Sequence, residues 1–393
     1  MIFILGIDGY IGNALCQRLL NEGYDVFGFD NFWRRQWIEK DMKSISAIPI
    51  LSMEKKIRAF RDFYRKPGLP FYFENVDIYE QDTYFDQRVA DYKPDTIVNL
   101  AHNPSSPYSM ISKNKANRVL KNNFIGTNNV LWSIKKHCPN CHYITIGTAG
   151  EYDHYSNIDT EEGTFSFAHK GRQSTEMIFP RRPGSIYHCS KTASTYLIDY
   201  LTRAWNLKCT DVMQGVVFGA YTPEINKFDI YSRFDFDEAG GTVLNRFIIQ
   251  AILGMPLTIY GSGKHQRSFL SLNDSVQALM IAVKNPPESG KIQTWNQMSE
   301  WHSINDIADM VIRVGFDMGI PVTAQWIDTP RVEHTGDHYY NFITDKLNGF
   351  GYKPTRTIKE EIKYCLDFLY PLKYSFEKYK NVVIPKIKFN KEV

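Results

Sequence analysis

The stretch GIDGYIG, Gly6 to Gly12, follows the apolar run Ile2–Leu5 and opens a segment of helical periodicity. Glycines at i, i+3 and i+6 across a strand-to-helix junction remove side chains where a backbone or ligand must approach closely. They also leave the first N–H groups of the helix facing open space, where they favour an anion. A lone glycine triplet says little, so the flanking sequence has to decide.

On either side, short apolar runs alternate with longer amphipathic segments. Strands are expected at Ile2–Leu5, 25–29, 71–76, 96–100, 143–146 and 209–213, with helices at 11–21, 83–90 and 119–136. This is the order of an α/β protein, a Rossmann-like doubly wound parallel sheet. From about residue 219 the pattern turns irregular, with loops such as GAYTPEINKFD and YGSGKHQRS. The division expected is a nucleotide-binding unit at 1–218 and a smaller, mostly C-terminal substrate-binding lobe at 219–393, some of whose segments return to the first unit. A long insertion at about 31–70 exceeds ordinary connections. It folds over a cofactor, pairs with another subunit, or is a solvated helical excursion. The tail NVVIPKIKFNKEV reads as an extended arm or a partly ordered terminus.

The second expected strand ends in GFDN, which places Asp30 where an acid accepts hydrogen bonds from an adenosine ribose. A carboxylate there repels the extra phosphate of NADP, so the cofactor expected is NAD. Arg34 and Arg35 follow closely and read as contacts to pyrophosphate or ribose.

Composition sets the outer limits. The chain has 393 residues, 43% hydrophobic and 23% charged, enough for a substantial core. A net charge of +3, from 46 basic and 43 acidic residues, gives no broad basic surface for nucleic acid. No segment has transmembrane length without charges, and the N-terminus lacks a basic, cleavable leader, so a cytoplasmic protein without membrane insertion is expected. Six scattered cysteines suit buried thiols in a reducing compartment. HCPNCH, from His137 to His142, lacks a second ligand pair and reads as a turn, so no metal is assigned.

In SIYHCSKTAS, Ser185 to Ser194, Tyr187 and Lys191 stand four apart and share one helix face. TIGTAGEY puts Thr148 just after the fifth strand. Oxidising a secondary alcohol needs a base for its proton. Bringing a phenol from a pKa of about 10 to near 7 takes about 4 kcal/mol. One ammonium at about 4 Å contributes about that much at an effective dielectric near 20. With the GxxGxxG spacing, these residues resemble the short-chain dehydrogenases/reductases of the extended type, in which the hydroxyl residue, tyrosine and lysine form the catalytic set. Thr148, Tyr187 and Lys191 are the catalytic residues expected.

A narrower resemblance covers nearly the full length. DGYIG, DNFWRR, PYSMI, NNFIGTNNVLWSIK, NIDTEEG, YHCSK, QGVVFG, GTVLNRF, LTIYGSGKHQR, WNQ and PRVE are similar to phrases of the UDP-sulfoquinovose synthase family. That resemblance implies oxidation of UDP-glucose at C4 by tightly held NAD, loss of water across C5–C6, sulfite addition at C6 and return of the hydride. It implies a cofactor site of Gly6, Gly9, Tyr10, Ile11, Gly12, Asp30, Asn31, Arg34 and Arg35. Asp77, Ile78, Leu100, Ala101 and Asn122 join it, with Tyr187 and Lys191. Substrate contacts fall to Thr148, Glu151, His188, Gln214, Thr242 and Asn245, with Arg246, Arg267 and Arg331 near the diphosphate. A homodimer or higher homo-oligomer is expected.

Departures from the family are local. Where it reads Gly-Glu-Gln-Arg-Ser-Ala-Pro-Tyr-Ser-Met, this chain has AHNPSSPYSM, with His102 for the glutamate and Pro104 for the arginine. Ala149 replaces a methionine. Arg172, in HKGRQST, is then the cation expected to attract sulfite. The rival reading is a nucleotide-sugar 4-epimerase or 4,6-dehydratase. A dehydratase usually carries Thr-Asp-Glu where this chain has TAGEY. A redox-inactive NAD-binding scaffold would have no need of the intact triad.

Overall fold

The computed structural model describes residues 1–64, 71–152, 158–328, 339, 341–387 and 389. Seven parallel strands form the main sheet, in the order Lys291–Gln297, Lys208–Gln214, His142–Thr148, Thr96–Asn99, Ile2–Leu5, Val26–Asp30 and Phe71–Asn75. Alternation along the first strand explains the two covered faces. Ile2 and Ile4 join one apolar cluster, while Phe3 and Leu5 join the other with Phe27 and Phe29. Full burial of each such ring contributes roughly 2 kcal/mol.

Strand order reverses between Ile2–Leu5 and Thr96–Asn99, and ligands of doubly wound sheets bind beyond the carboxyl ends of the strands at such a point. The loops that leave those ends are Gly6–Gly9, the segment after Asp30, Leu100–Ser105 and the turn after Thr148. All of them line one cavity of about 510 Å³.

A third apolar cluster, around Phe234, Leu244, Phe247, Phe269 and Ile307, backs the far wall of the cavity, to which its chain neighbours Arg233, Asp235, Asn245, Arg246 and Ser268 contribute. There Gln266–Ser271 pairs antiparallel with Glu300–Ser303 and parallel with Val216–Phe218. Leu257–Tyr260 pairs with Ala324–Ile327. The insertion supplies two helices, Trp33–Lys40 and Met53–Phe63. The first brings Trp33, Arg34 and Trp37 to the cavity wall.

Three local features go beyond what the sequence specified. The helix expected at 119–136 is divided into Lys113–Leu120, a π turn at Lys121–Ile125, and Gly126–His137. Thr164–His169 and Arg172–Ile178 form an antiparallel hairpin whose side chains are nearly all exposed. The tail is anchored: Val383 is buried, and the N–H groups of Lys386 and Ile387 donate to Glu238.

Candidate active site

The glycines make a cradle that side chains would fill. Gly6 has φ +82°, and a Cβ on it would lie 2.7 Å from the Leu100 carbonyl carbon. A Cβ on Gly12 would lie 2.2 Å from the Gly6 oxygen. Helix Tyr10–Asn21 starts at Gly9 without a side-chain cap, so its first N–H groups face the cavity. Asp30, at the adjacent strand end, accepts the N–H groups of Asp8 and Phe32, both at 2.8 Å. Burial, with Asp8 nearby, raises its pKa. An anion-ready helix end beside a ribose-height carboxylate fits NAD.

Arg35 grips the Asp8 carboxylate with two nitrogens, and fully buried Lys56 reaches the same group at 3.1 Å. Burial works against the Asp8 charge, yet these two cations hold its pKa below the ordinary value. Arg34 donates to Asp235 at 2.7 and 2.9 Å and to the Gly240 carbonyl at 3.0 Å. Both arginines are therefore engaged by carboxylates of the protein, Arg34 on the cavity wall and Arg35 behind it.

Helix Ile186–Trp205 carries Tyr187 and Lys191, the pair expected to serve the redox step. Its cap, Ser185, accepts the His188 N–H, which starts the helix at the cavity edge. Tyr187 and Lys191 face the same cavity and are both buried. Thr148 lines the same cavity as Tyr187. Burial, with Glu151 nearby, pushes the phenol above its ordinary pKa, against the opposing influence of Thr148. Burial pushes Lys191 down to about 8, against the pull of Glu151 and Asp211. Glu151 is completely buried and does not face the cavity: it accepts the Thr148 N–H at 3.0 Å and an Arg181 nitrogen at 3.2 Å. Burial raises its pKa, Arg181 opposes, and Asp211 adds to the rise.

A sequence model of the NAD dependent epimerase/dehydratase family matches residues 2–296. The UDP-sulfoquinovose synthase of Sulfolobus acidocaldarius is 36% identical over 390 residues, 99% of this chain and 98% of its own length. The chain belongs to the UDP-sulfoquinovose synthase family. The chloroplastic member from Spinacia oleracea is also 36% identical, over 90% of this chain and 72% of its own. Among solved structures, a UDP-glucose 4-epimerase of Thermotoga maritima with UDP-glucose matches with TM-score 0.68 at 18% identity, covering 93% of this chain and 97% of its own. A UDP-glucuronic acid 4-epimerase of Bacillus cereus matches with TM-score 0.67 at 21% identity, covering 94% and 99%. Those two share the fold.

In this member of the UDP-sulfoquinovose synthase family, most expected site residues meet in one cavity. Of the residues expected to hold the cofactor, Gly6, Gly9, Tyr10, Ile11, Gly12, Asn31, Ile78, Leu100, Ala101 and Asn122 line it. Of those expected to hold the substrate, His188, Gln214, Thr242, Asn245, Arg246 and Arg267 line it. A Cβ on Gly150 would lie 2.3 Å from His188 Nε2, so the small residue leaves room for that ring beside the Thr148 turn. Arg246 donates to the Tyr260 hydroxyl at 2.8 Å and to the Thr258 carbonyl at 3.0 Å.

Other expected residues lie elsewhere. Asp77 stands behind the wall, where Asn31 and Arg118 donate to it. Arg172 is exposed at the start of the second hairpin strand and is not part of the cavity wall, because both strands there turn their side chains to solvent. Arg331 lies outside the described residues. Sequence reasoning missed Arg182, which lines the cavity near Tyr187, and buried Arg233, which donates to Asp235 at 2.8 and 3.1 Å. Neither stands in a motif whose spacing marks it.

Proposed function

We propose that the protein converts UDP-glucose and sulfite to UDP-sulfoquinovose. One observation carries the reading: the glycine cradle and Thr148, Tyr187 and Lys191 share one cavity in a chain that aligns from end to end with a UDP-sulfoquinovose synthase. Gly6, Gly9, Gly12 and Asp30 would hold NAD, which would supply a reversible hydride acceptor for C4.

The protein's own groups do the rest. Tyr187 takes the C4 hydroxyl proton, Thr148 orients that oxygen, and Lys191 favours the phenolate. The C4 ketone acidifies the C5 proton, and the C6 hydroxyl leaves as water, giving a conjugated enone. The sulfite sulfur pair then forms the C6–S bond while C5 regains a proton, which restores a C4 ketone ready for reduction. His188 contacts the sugar, and Arg246 and Arg267 take diphosphate oxygens.

Sulfite must enter as an anion. Arg182 has the place for this that Arg172 lacks, since it faces the cavity that Tyr187 also faces. A cytoplasmic setting fits six cysteines without a disulfide and the absence, among the described residues, of a helix long and apolar enough to cross a membrane. A homo-oligomer fits the exposed Trp132, Tyr196 and Tyr200 on two neighbouring helices. The two-unit division, 1–218 and 219–393, is kept as part of this reading.

The test is product mass. UDP-glucose with sulfite is expected to give a C6-sulfonated UDP-sugar, with no such product when sulfite is omitted. UDP-galactose or a 4-keto-6-deoxy sugar, unchanged by sulfite, would replace this reading by that of a 4-epimerase or 4,6-dehydratase.

A further inference from the structure

Among the described residues, Lys191 has one side-chain hydrogen-bond partner, and it is not a carboxylate. Its Nζ lies 2.8 Å from His102 Nδ1, while His102 Nε2 lies 3.1 Å from the Thr127 hydroxyl. The tautomer follows from donor counting. The Thr127 hydroxyl has one proton, and it donates that proton to the Asn123 carbonyl at 2.7 Å. Its oxygen must therefore accept from His102, so the ring carries its hydrogen on Nε2 and offers a lone pair on Nδ1 to the ammonium.

The loop is held in register by the π turn Lys121–Ile125, which brings Asn123 inward. Asn123 accepts the Asn103 N–H at 2.9 Å, and its amide donates to the Asn103 carbonyl at 3.1 Å and to Ser190 Oγ at 3.0 Å. One side chain thus ties the His102 loop to the helix of Lys191. The chain of hydrogen bonds ends on a backbone carbonyl, which cannot take a proton, so it fixes a position and conducts nothing.

We propose that His102 is a positioning residue of the redox site, an uncharged acceptor that holds the Lys191 ammonium without adding a countercharge, so that Lys191 sets the upper pH limit of C4 oxidation. This rests on the redox reading above. The charges acting on Lys191 come from Glu151, in the turn after His142–Thr148, and Asp211, on Lys208–Gln214. Arg181 is paired with Glu151, and Tyr187 lies one turn earlier on the same helix. Burial, then the Lys191 charge, keeps His102 well below its ordinary pKa, so the ring stays neutral across the working range. A neutral partner leaves Lys191 near 8, where it loses its proton as the solution turns mildly alkaline.

The experiment compares kcat and KM against pH for wild type, His102→Gln, His102→Glu and His102→Leu, with the alkaline limb of kcat as the readout. Glutamine keeps a neutral acceptor and is expected to keep both the limb and most of the rate. Glutamate adds a charge and is expected to move the limb up by about one pH unit or more. Leucine is expected to lower kcat about tenfold or more with KM for UDP-glucose little changed. A limb that stays put in His102→Glu, or full kcat in His102→Leu, overturns the proposal. NMR of isotope-labelled lysine follows Lys191 directly, without turnover. There, a higher Lys191 titration point in folded His102→Glu supports the proposal even if UDP-glucose proves the wrong substrate, and an unchanged one refutes it.

Discussion

The backbone N–H of Asp8 donates to the Asp30 carboxylate at 2.8 Å, while the Asp8 side chain holds Arg35 and Lys56. Two acids and two bases thus cancel at the corner where the adenosine ribose would lie, leaving no surplus cation for a 2′-phosphate. Nucleotide released by denaturing the purified protein is expected to be NAD(H). Asp8→Ser would free both cations, and the affinity ratio of NADP to NAD is expected to rise about tenfold or more. It would also strand Lys56, whose charge is buried, at a cost of about 3 kcal/mol in stability. Nucleotide titration and thermal unfolding read the two effects separately; recovery of NADP(H) from the wild type would overturn the assignment of Asp30.

Tyr187→Phe removes one hydroxyl and little contact area. Formation of NADH from UDP-glucose in single turnover is expected to fall about a hundredfold or more, with the Kd for UDP-glucose nearly unchanged. A Tyr187→Phe protein that oxidises C4 at the wild-type rate would remove the phenol from the mechanism.

The two arginines make opposed predictions. Arg182→Ala is expected to raise the KM for sulfite about tenfold or more while C4 oxidation stays close to normal, because the lost group is a charge-assisted donor on the cavity wall. Arg172→Ala, at an exposed hairpin position, is expected to change neither beyond about twofold. The reverse ranking in steady-state kinetics would return anion capture to the hairpin.

Two glycines test the cradle. Gly12→Ala would press a methyl onto the Gly6 carbonyl, 2.2 Å away. Retained NAD after purification is expected to drop about tenfold or more, with a stability loss of about 2 kcal/mol. At Gly171, where φ is +74° and the space is open, alanine costs about 1 kcal/mol of backbone strain and leaves NAD retention as it was. Equal nucleotide content in the two variants would show that the loop does not form the cradle.

Ile2–Leu5, Val26–Asp30, Thr96–Asn99 and His142–Thr148 were legible because they are largely apolar runs buried on both faces, and Asp30, Tyr187 and Lys191 because they sit at fixed offsets from those runs. Lys291–Gln297 was not. It is an edge strand whose buried Asn296 and Gln297 look polar in sequence, yet Asn296 donates to the Thr160 and Ile343 carbonyls and Gln297 to that of Asp274. Arg172 was placed in the site because it matches an arginine of the family, and the hairpin that carries it packs Phe165 on the core while leaving Arg172 in solvent. The π turn Lys121–Ile125 shifts the helical phase by a single residue, which the mixed polar and apolar run KNNFIGTNN does not single out. The partner of Lys191 could be read as an unusual residue, His102, but its role needed the Thr127 hydroxyl in space.

Asp235 joins Arg34 of the insertion to Arg233 of the opposite lobe. All three line the cavity. A dinucleotide held in the same cavity would leave past this tie, and opening it there means drawing the Asp235 carboxylate, with Arg233 still attached, away from the Arg34 guanidinium in largely dry surroundings. In the proposed cycle a nucleotide sugar turns over against a nucleotide that stays, so that the electrons lent by C4 are still in the same protein molecule when C4 needs them back. Such a catalyst starts each round already charged and draws on no external pool of reductant.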